Sequence, residues 1–158
     1  MTYDPRFVPA FLDALTAAER AAANLGFTLA RIAPLLPLSA MSVAALSPED
    51  RERLDALAAR FSRCQQMAGT AFKTLTLLEA EPQSRFIDVL ALMQKRGLIT
   101  SIADWDVQRD LRNDAGPVYL ATDAEFAAFH NAVADLAPAV AAYAAALRAY
   151  ATRLGLGA

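Results

Sequence analysis

Apolar residues along this chain recur at alternating spacings of three and four, with polar residues or alanine between them. That is the pattern of helices that bury one face. The clearest run is Leu54, Leu57, Phe61, Cys64, Ala68, Ala71, Leu75 and Leu78. Ser47 precedes it as an N-cap, Pro48 takes the first helical position, and Glu49 and Asp50 oppose the helix dipole. This predicts one long helix to about Glu79. A second run comprises Phe126, Phe129, Val133, Leu136, Val140, Tyr143, Leu147, Tyr150 and Leu154, behind a capping box at Thr122 and Glu125. It reads as a narrow helix-packing seam that Pro138 bends and Gly155 ends.

Weaker patterns fill the remainder. Asp4 and Pro5 open a helix carrying Phe7, Phe11, Leu15, Leu25, Leu29 and Ile32, which Pro34 and Pro37 end. Leu35 to Leu46 reads as a connector. Pro82 is predicted to start a shorter helix through Phe86, Val89, Leu90 and Met93, closed by Lys95, Arg96 and Gly97. Thr100 or Ser101 caps another that passes Trp105 and Leu111 and stops near Gly116 and Pro117. Together these elements predict an all-α antiparallel helical bundle of about five helices, a single domain over residues 1–158.

Composition narrows the functional classes. Of 158 residues 56% are hydrophobic and 20% charged, which suits a packed core and excludes a disordered linker. The net charge of −2 leaves no global basic footprint for nucleic acid. Lys73 and Lys95 are the only lysines; the arginine bias reads as the codon preference of a GC-rich genome. Cys64 lies within an apolar stripe and is read as core; a lone cysteine suits a reducing cytoplasm. Asp4, Arg6 and Asp13 interrupt any early apolar run, and Leu136 to Leu147 is too short to span a bilayer. The expectation is a cytoplasmic protein without a membrane segment. No His, Cys or carboxylate cluster has metal-ligand spacing and no Gly-rich phosphate loop occurs, so neither metal nor cofactor is expected.

Chemistry concentrates between Trp105 and Tyr119. Arg109 and Arg112 lie one helical turn apart, followed by Asn113, Asp114, the Gly116–Pro117 break and Tyr119. One reading is an anion or RNA-phosphate site, with arginine forks on phosphoryl oxygens. The other is a solvated helix end whose arginines pair with Asp106, Asp110 or Asp114. Arg51, Arg53, Arg60 and Arg63 form a second basic strip, offset by Glu49, Asp50, Glu52 and Asp55, which reads as a solvated face. His130, the sole histidine, is expected to be a partly exposed residue flanking the Phe126–Phe129–Val133 seam; a surrogate proton carrier is the alternative.

The run R-D-L-R-N-x-x-x-x-V-Y, followed by a capped Ala-rich helix, resembles the HEPN superfamily, specifically its HepT-like toxins. The lead-in R-F-I-D-V-L-A-L-M-Q-K-R-G-L-I-T-S-I-A-D-W and the earlier L-D-A-L-A-A-R-F-S-R-C-Q-Q are similar to that family too, so the resemblance spans roughly Leu54 to Tyr150. It implies a helical homodimer, the toxin of a toxin–antitoxin pair, with metal-independent ribonuclease chemistry on RNA. Its motif places Arg112 and Asn113 in a cleft built across two subunits, with Arg109 and Asp114 in support. Tyr119 matches the tyrosine that accepts AMP from, or docks, an MNT-type nucleotidyltransferase antitoxin.

The motif histidine falls on Pro117, which can neither take nor give a proton. A positioned acid or base contributes about 10²–10⁴-fold, and arginine stays protonated. The resemblance therefore implies partner binding with ribonuclease activity weakened or lost. The alternatives are an active ribonuclease using Arg112 with a non-standard partner, and a non-catalytic helical adaptor.

Overall fold

Side-chain oxygens begin the long helices. Ser47 Oγ accepts from the Asp50 amide at 3.1 Å, and Ser101 Oγ accepts from Asp104 at 3.0 Å. Thr122 and Glu125 satisfy one another's backbone amides at 2.8 and 3.2 Å. The computed structural model describes residues 3–115 and 122–157, and no strand occurs among them. Six α-helices follow in order: α1 Val8–Ile32, α2 Ala40–Ala44, α3 Pro48–Leu78, α4 Phe86–Lys95, α5 Ile102–Asn113 and α6 Asp123–Arg153. The architecture is an all-α antiparallel bundle, as the periodicity predicts.

Helix α3 is central, packed against α1, α6, α4 and α5. Every apolar residue of its stripe from Leu54 to Leu78 is buried. In α6 the same holds for Phe126, Phe129, Val133, Val140, Tyr143, Leu147 and Tyr150, while Leu136 and Leu154 are half-buried. Helix α6 runs through Pro138 as one element. It is long and apolar enough to cross a membrane by length and composition, and its apolar stripe is packed into the core. Specific bonds lock the long helices. Arg148 grips Glu19 in α1 with two bonds of 2.7 and 2.8 Å, and Arg60 in α3 donates to Thr28 Oγ1 at 2.6 Å and Asn24 O at 3.2 Å. At the far end of α3, Glu79 accepts from both Arg96 and the Tyr150 hydroxyl.

Two elements differ from expectation. The connector contains α2, because Ser39 and Ser42 form a reciprocal capping box at 2.8 and 3.1 Å and Val43 then enters the core. Its approach is docked on α6 by Asn131, whose side-chain amide exchanges bonds of 2.8 and 2.9 Å with the Leu38 backbone. The second difference is α4, which begins at Phe86 rather than Pro82. Helix α3 ends in a left-handed residue, Ala80 (φ 57°), with the Glu81 amide donating back to Thr76 O at 2.8 Å. A proline just after such an ending blocks the helix from continuing. Pro82 is therefore a stop signal, not a start. Gly97 (φ 73°) and Gly155 (φ 77°) close α4 and α6 in the same way.

Candidate functional site

Aromatic packing sets the register of α5. Trp105 is buried, with ring centroids 5.5 Å from Phe72, 5.7 Å from Phe86 and 5.4 Å from Tyr143. Gly69 of α3 faces it: a Cβ there would lie 3.6 Å from the indole and 3.4 Å from Phe86, at ordinary contact distance. Two buried amides complete the seat. Gln65 Nε2 donates to Trp105 O at 3.1 Å, and the Tyr143 hydroxyl donates to Gln108 Oε1 at 2.8 Å. Burial pushes the Tyr143 hydroxyl pKa up, so it remains a donor.

Residues four and seven places after Trp105 share its side of α5. Arg109 and Arg112 therefore overhang a groove of about 280 Å³ between α5 and α3. Across from them stand Gln66, Thr70 and Lys73 of α3, with Phe86 of α4 at one end. Lys73 Nζ lies 5.2 Å above the Phe86 ring. Among the described residues, three cations and no carboxylate line this groove.

The two arginines are not equivalent. Arg109 is held by Asp106 at 3.0 Å and Asp110 at 3.4 Å, as the solvated-end reading expects. Arg112 is half-buried, and its side chain has no ion-pair or hydrogen-bond partner among the described residues. Asn113 and Asp114 are exposed, and the Asp114 amide closes the helix on Asp110 O at 3.2 Å. Pro117 and Tyr119 lie outside the described residues.

His130 departs from its expected exposure. It is 1% exposed, stacked on Phe126 at 4.1 Å and met edge-on by Phe129 at 4.9 Å. Its Nδ1 donates to Phe126 O at 2.9 Å, and the Leu54–Asp55 end of α3 faces the ring. Burial lowers its pKa, against the opposing pull of the Phe126 carbonyl and of Asp55. Leu54 and Gln65 are separated along α3 by about 16 Å of helical rise. The histidine thus belongs to a different part of the bundle from the Arg112 groove, which removes it as a surrogate proton carrier there.

The other sequence candidates are accounted for. Arg51 donates to Val43 O at 2.8 Å, Arg53 pairs with Asp50 at 2.9 Å, and Arg60 is bound to α1, so this strip offers no continuous basic track. Cys64 is buried with Sγ 3.7 Å from Val140 O, and burial pushes its pKa up to about 11, far from a nucleophilic thiolate. Among the described residues no three His, Cys, Asp or Glu side chains gather as a metal-ligand set. A larger groove, about 520 Å³, runs between α5 and α6 past Val107, Leu136 and Ala139; Asp104 is the one charged residue among its described lining.

Sequence reasoning missed Gln65, Thr70 and Lys73 as neighbours of Arg112. Gln65, Gly69 and Lys73 do recur every four residues, a spacing that puts them on one face of α3. Only the position of Trp105 says which helix covers that face. No family model matches the chain, and neither the curated proteins nor the solved structures yield a match.

Proposed function

We propose that this chain is a HEPN-like helical protein, similar to the toxin half of a toxin–antitoxin pair, that acts by binding and has weakened or lost ribonuclease chemistry. Arg112 is its phosphate ligand, Asn113 stands beside it at the helix end, and the segment carrying Tyr119 docks an MNT-type nucleotidyltransferase. The working form is a homodimer. One observation carries the reading: Arg112 is half-buried with its charge uncompensated among the described residues, whereas Arg109, one turn away, is neutralised by two aspartates. A guanidinium left without a carboxylate at a groove is suited to an incoming anion, and its planar fork fits a phosphoryl group.

The decisive comparison is RNA cleavage by wild type, Arg112→Ala and Pro117→His. Wild type should cleave slowly or not at all, and Pro117→His should gain roughly 10²-fold or more, the scale of a restored proton carrier. An inert Pro117→His variant that is folded and dimeric counts against the family frame. So does a chain that light scattering finds monomeric.

A further inference from the structure

We propose that the α3–α5 groove is a binding site for a phosphate ester that also carries a hydrogen-bond donor, the chemistry of a ribonucleotide unit, free or within single-stranded RNA. The proposal rests on the phosphate role given to Arg112 above and adds a second wall to it, on α3. Lys73 and Arg112 hold the phosphate from opposite sides of the groove. Both are free of carboxylates among the described residues, and Phe86 supports the Lys73 ammonium from below. In a chain of net charge −2, a concave surface whose described lining holds two uncompensated cations, Lys73 and Arg112, and no acid runs against the overall balance.

An independent observation supplies the donor requirement. Gln65 is fully buried in the inner wall of the groove, and its Oε1 has no hydrogen-bond partner among the described residues. The orientation of this amide is determined by its surroundings. Trp105 O can only accept, so the NH₂ end of Gln65 must face it, and Oε1 is left over. A buried acceptor without a donor is costly, and native structures rarely keep one without a role or an unseen partner. Orthophosphate dianion brings no strong donor; a ribose hydroxyl or a base N–H does. Cations for the phosphate and an orphaned acceptor for the sugar or base lie in the same groove.

The test is titration of a fluorescent oligouridylate into the full-length protein at low salt, with uridine monophosphate as competitor. Lys73→Glu and Arg112→Ala should each weaken binding about tenfold or more, the effect of losing one charge-assisted contact, and reduce the salt slope. Lys95→Glu changes net charge equally on an exposed site outside the groove and should stay within about twofold. Gln65→Met removes the acceptor at similar volume; it should weaken oligouridylate and leave inorganic pyrophosphate unchanged. Thermal melts confirm that each variant is folded. Competition by the mononucleotide assigns the site to a free nucleotide, and its absence assigns it to the RNA strand.

Equal losses in Lys73→Glu and Lys95→Glu, or no binding by wild type, overturn the proposal. Loss of binding in Lys73→Glu together with an inert, monomeric Pro117→His keeps the groove and removes the family frame. Cleavage gained by Pro117→His with undiminished binding in Lys73→Glu does the reverse.

Discussion

The buried imidazole of His130 should make this protein lose stability as pH falls from neutral. Burial holds the folded-state pKa of His130 below the ordinary value near 6.5. The unfolded chain therefore takes up a proton that the folded chain refuses, and stability falls with decreasing pH between 6.5 and the lowered folded value. Above 6.5 both states are neutral and the contribution is fully present. At about pH 5.5 the unfolded ring is roughly ten parts protonated to one neutral, which favours unfolding by about 1.4 kcal/mol if the folded ring stays neutral. At about pH 7.5 the same term is under roughly 0.1 kcal/mol. The expected change is thus up to about 1.3 kcal/mol, reduced to the extent that the Phe126 and Leu54 carbonyls and Asp55 retain a proton on the folded ring.

The assay is urea unfolding followed by circular dichroism at the two pH values, for wild type and His130→Gln. Glutamine keeps a donor for Phe126 O but does not titrate. Carboxylates and the terminal amine titrate alike in both proteins, so subtracting the variant's pH dependence isolates one group. That isolation is possible because the chain has a single histidine. The same proton can be followed directly by NMR titration of the imidazole. An identical pH dependence in the two proteins, or an imidazole titrating at or above 6.5, refutes the account of His130 as a neutral, buried ring.

Backbone conformation gives a complementary pair. Ala80 occupies the left-handed region at φ 57°, so Ala80→Gly should raise stability by about 0.5–1 kcal/mol. Gly26 lies inside α1, where an added Cβ meets nothing within 4 Å, so Gly26→Ala should raise it by a similar amount and move Tm up by about 2–4 °C. A lower Tm in either variant contradicts the assigned backbone. Asn131→Ala leaves both the amide and carbonyl of Leu38 without their partner and should cost about 1–3 kcal/mol in urea unfolding, with α2 loosening first in hydrogen exchange. An unchanged midpoint would show that the Asn131 clamp contributes nothing.

The helices were legible wherever a local rule decided them. The stripe from Leu54 to Leu78 and the caps at Ser47, Ser101 and Thr122 depend on residues three or four apart, and periodicity reads those directly. Pro82 was misread because a proline can follow one helix or begin the next, and Ala80 hid the signal that decides between them. Glycine ordinarily marks a left-handed ending, as Gly97 and Gly155 do, and an alanine there gives no warning. His130 was misread for a different reason. It lies one place beyond Phe129, off the strict three-four seam, and α6 buries a face wider than that seam, including Ala127, Ala134 and Ala137.

The candidate site divides along the same line between local and long-range order. Arg109 and Arg112 share a face by spacing, and the sequence left open whether aspartates neutralise them. The structure answers differently for each, because Asp106 and Asp110 reach Arg109 and no described carboxylate reaches Arg112. Spacing carries part of that asymmetry: Asp106 lies three residues from Arg109 on the same face, whereas Asp110 and Asp114 lie two residues from Arg112 and face away. Trp105 sets where Arg112 then points. Once the indole is seated over Gly69 and pinned by Gln65, Arg112 is turned toward α3, where its neighbours are Lys73 and Thr70. The residues that make Arg112 an anion ligand are therefore hydrophobic and amide groups elsewhere in the chain. A motif that records only the arginine and its sequence neighbours omits them.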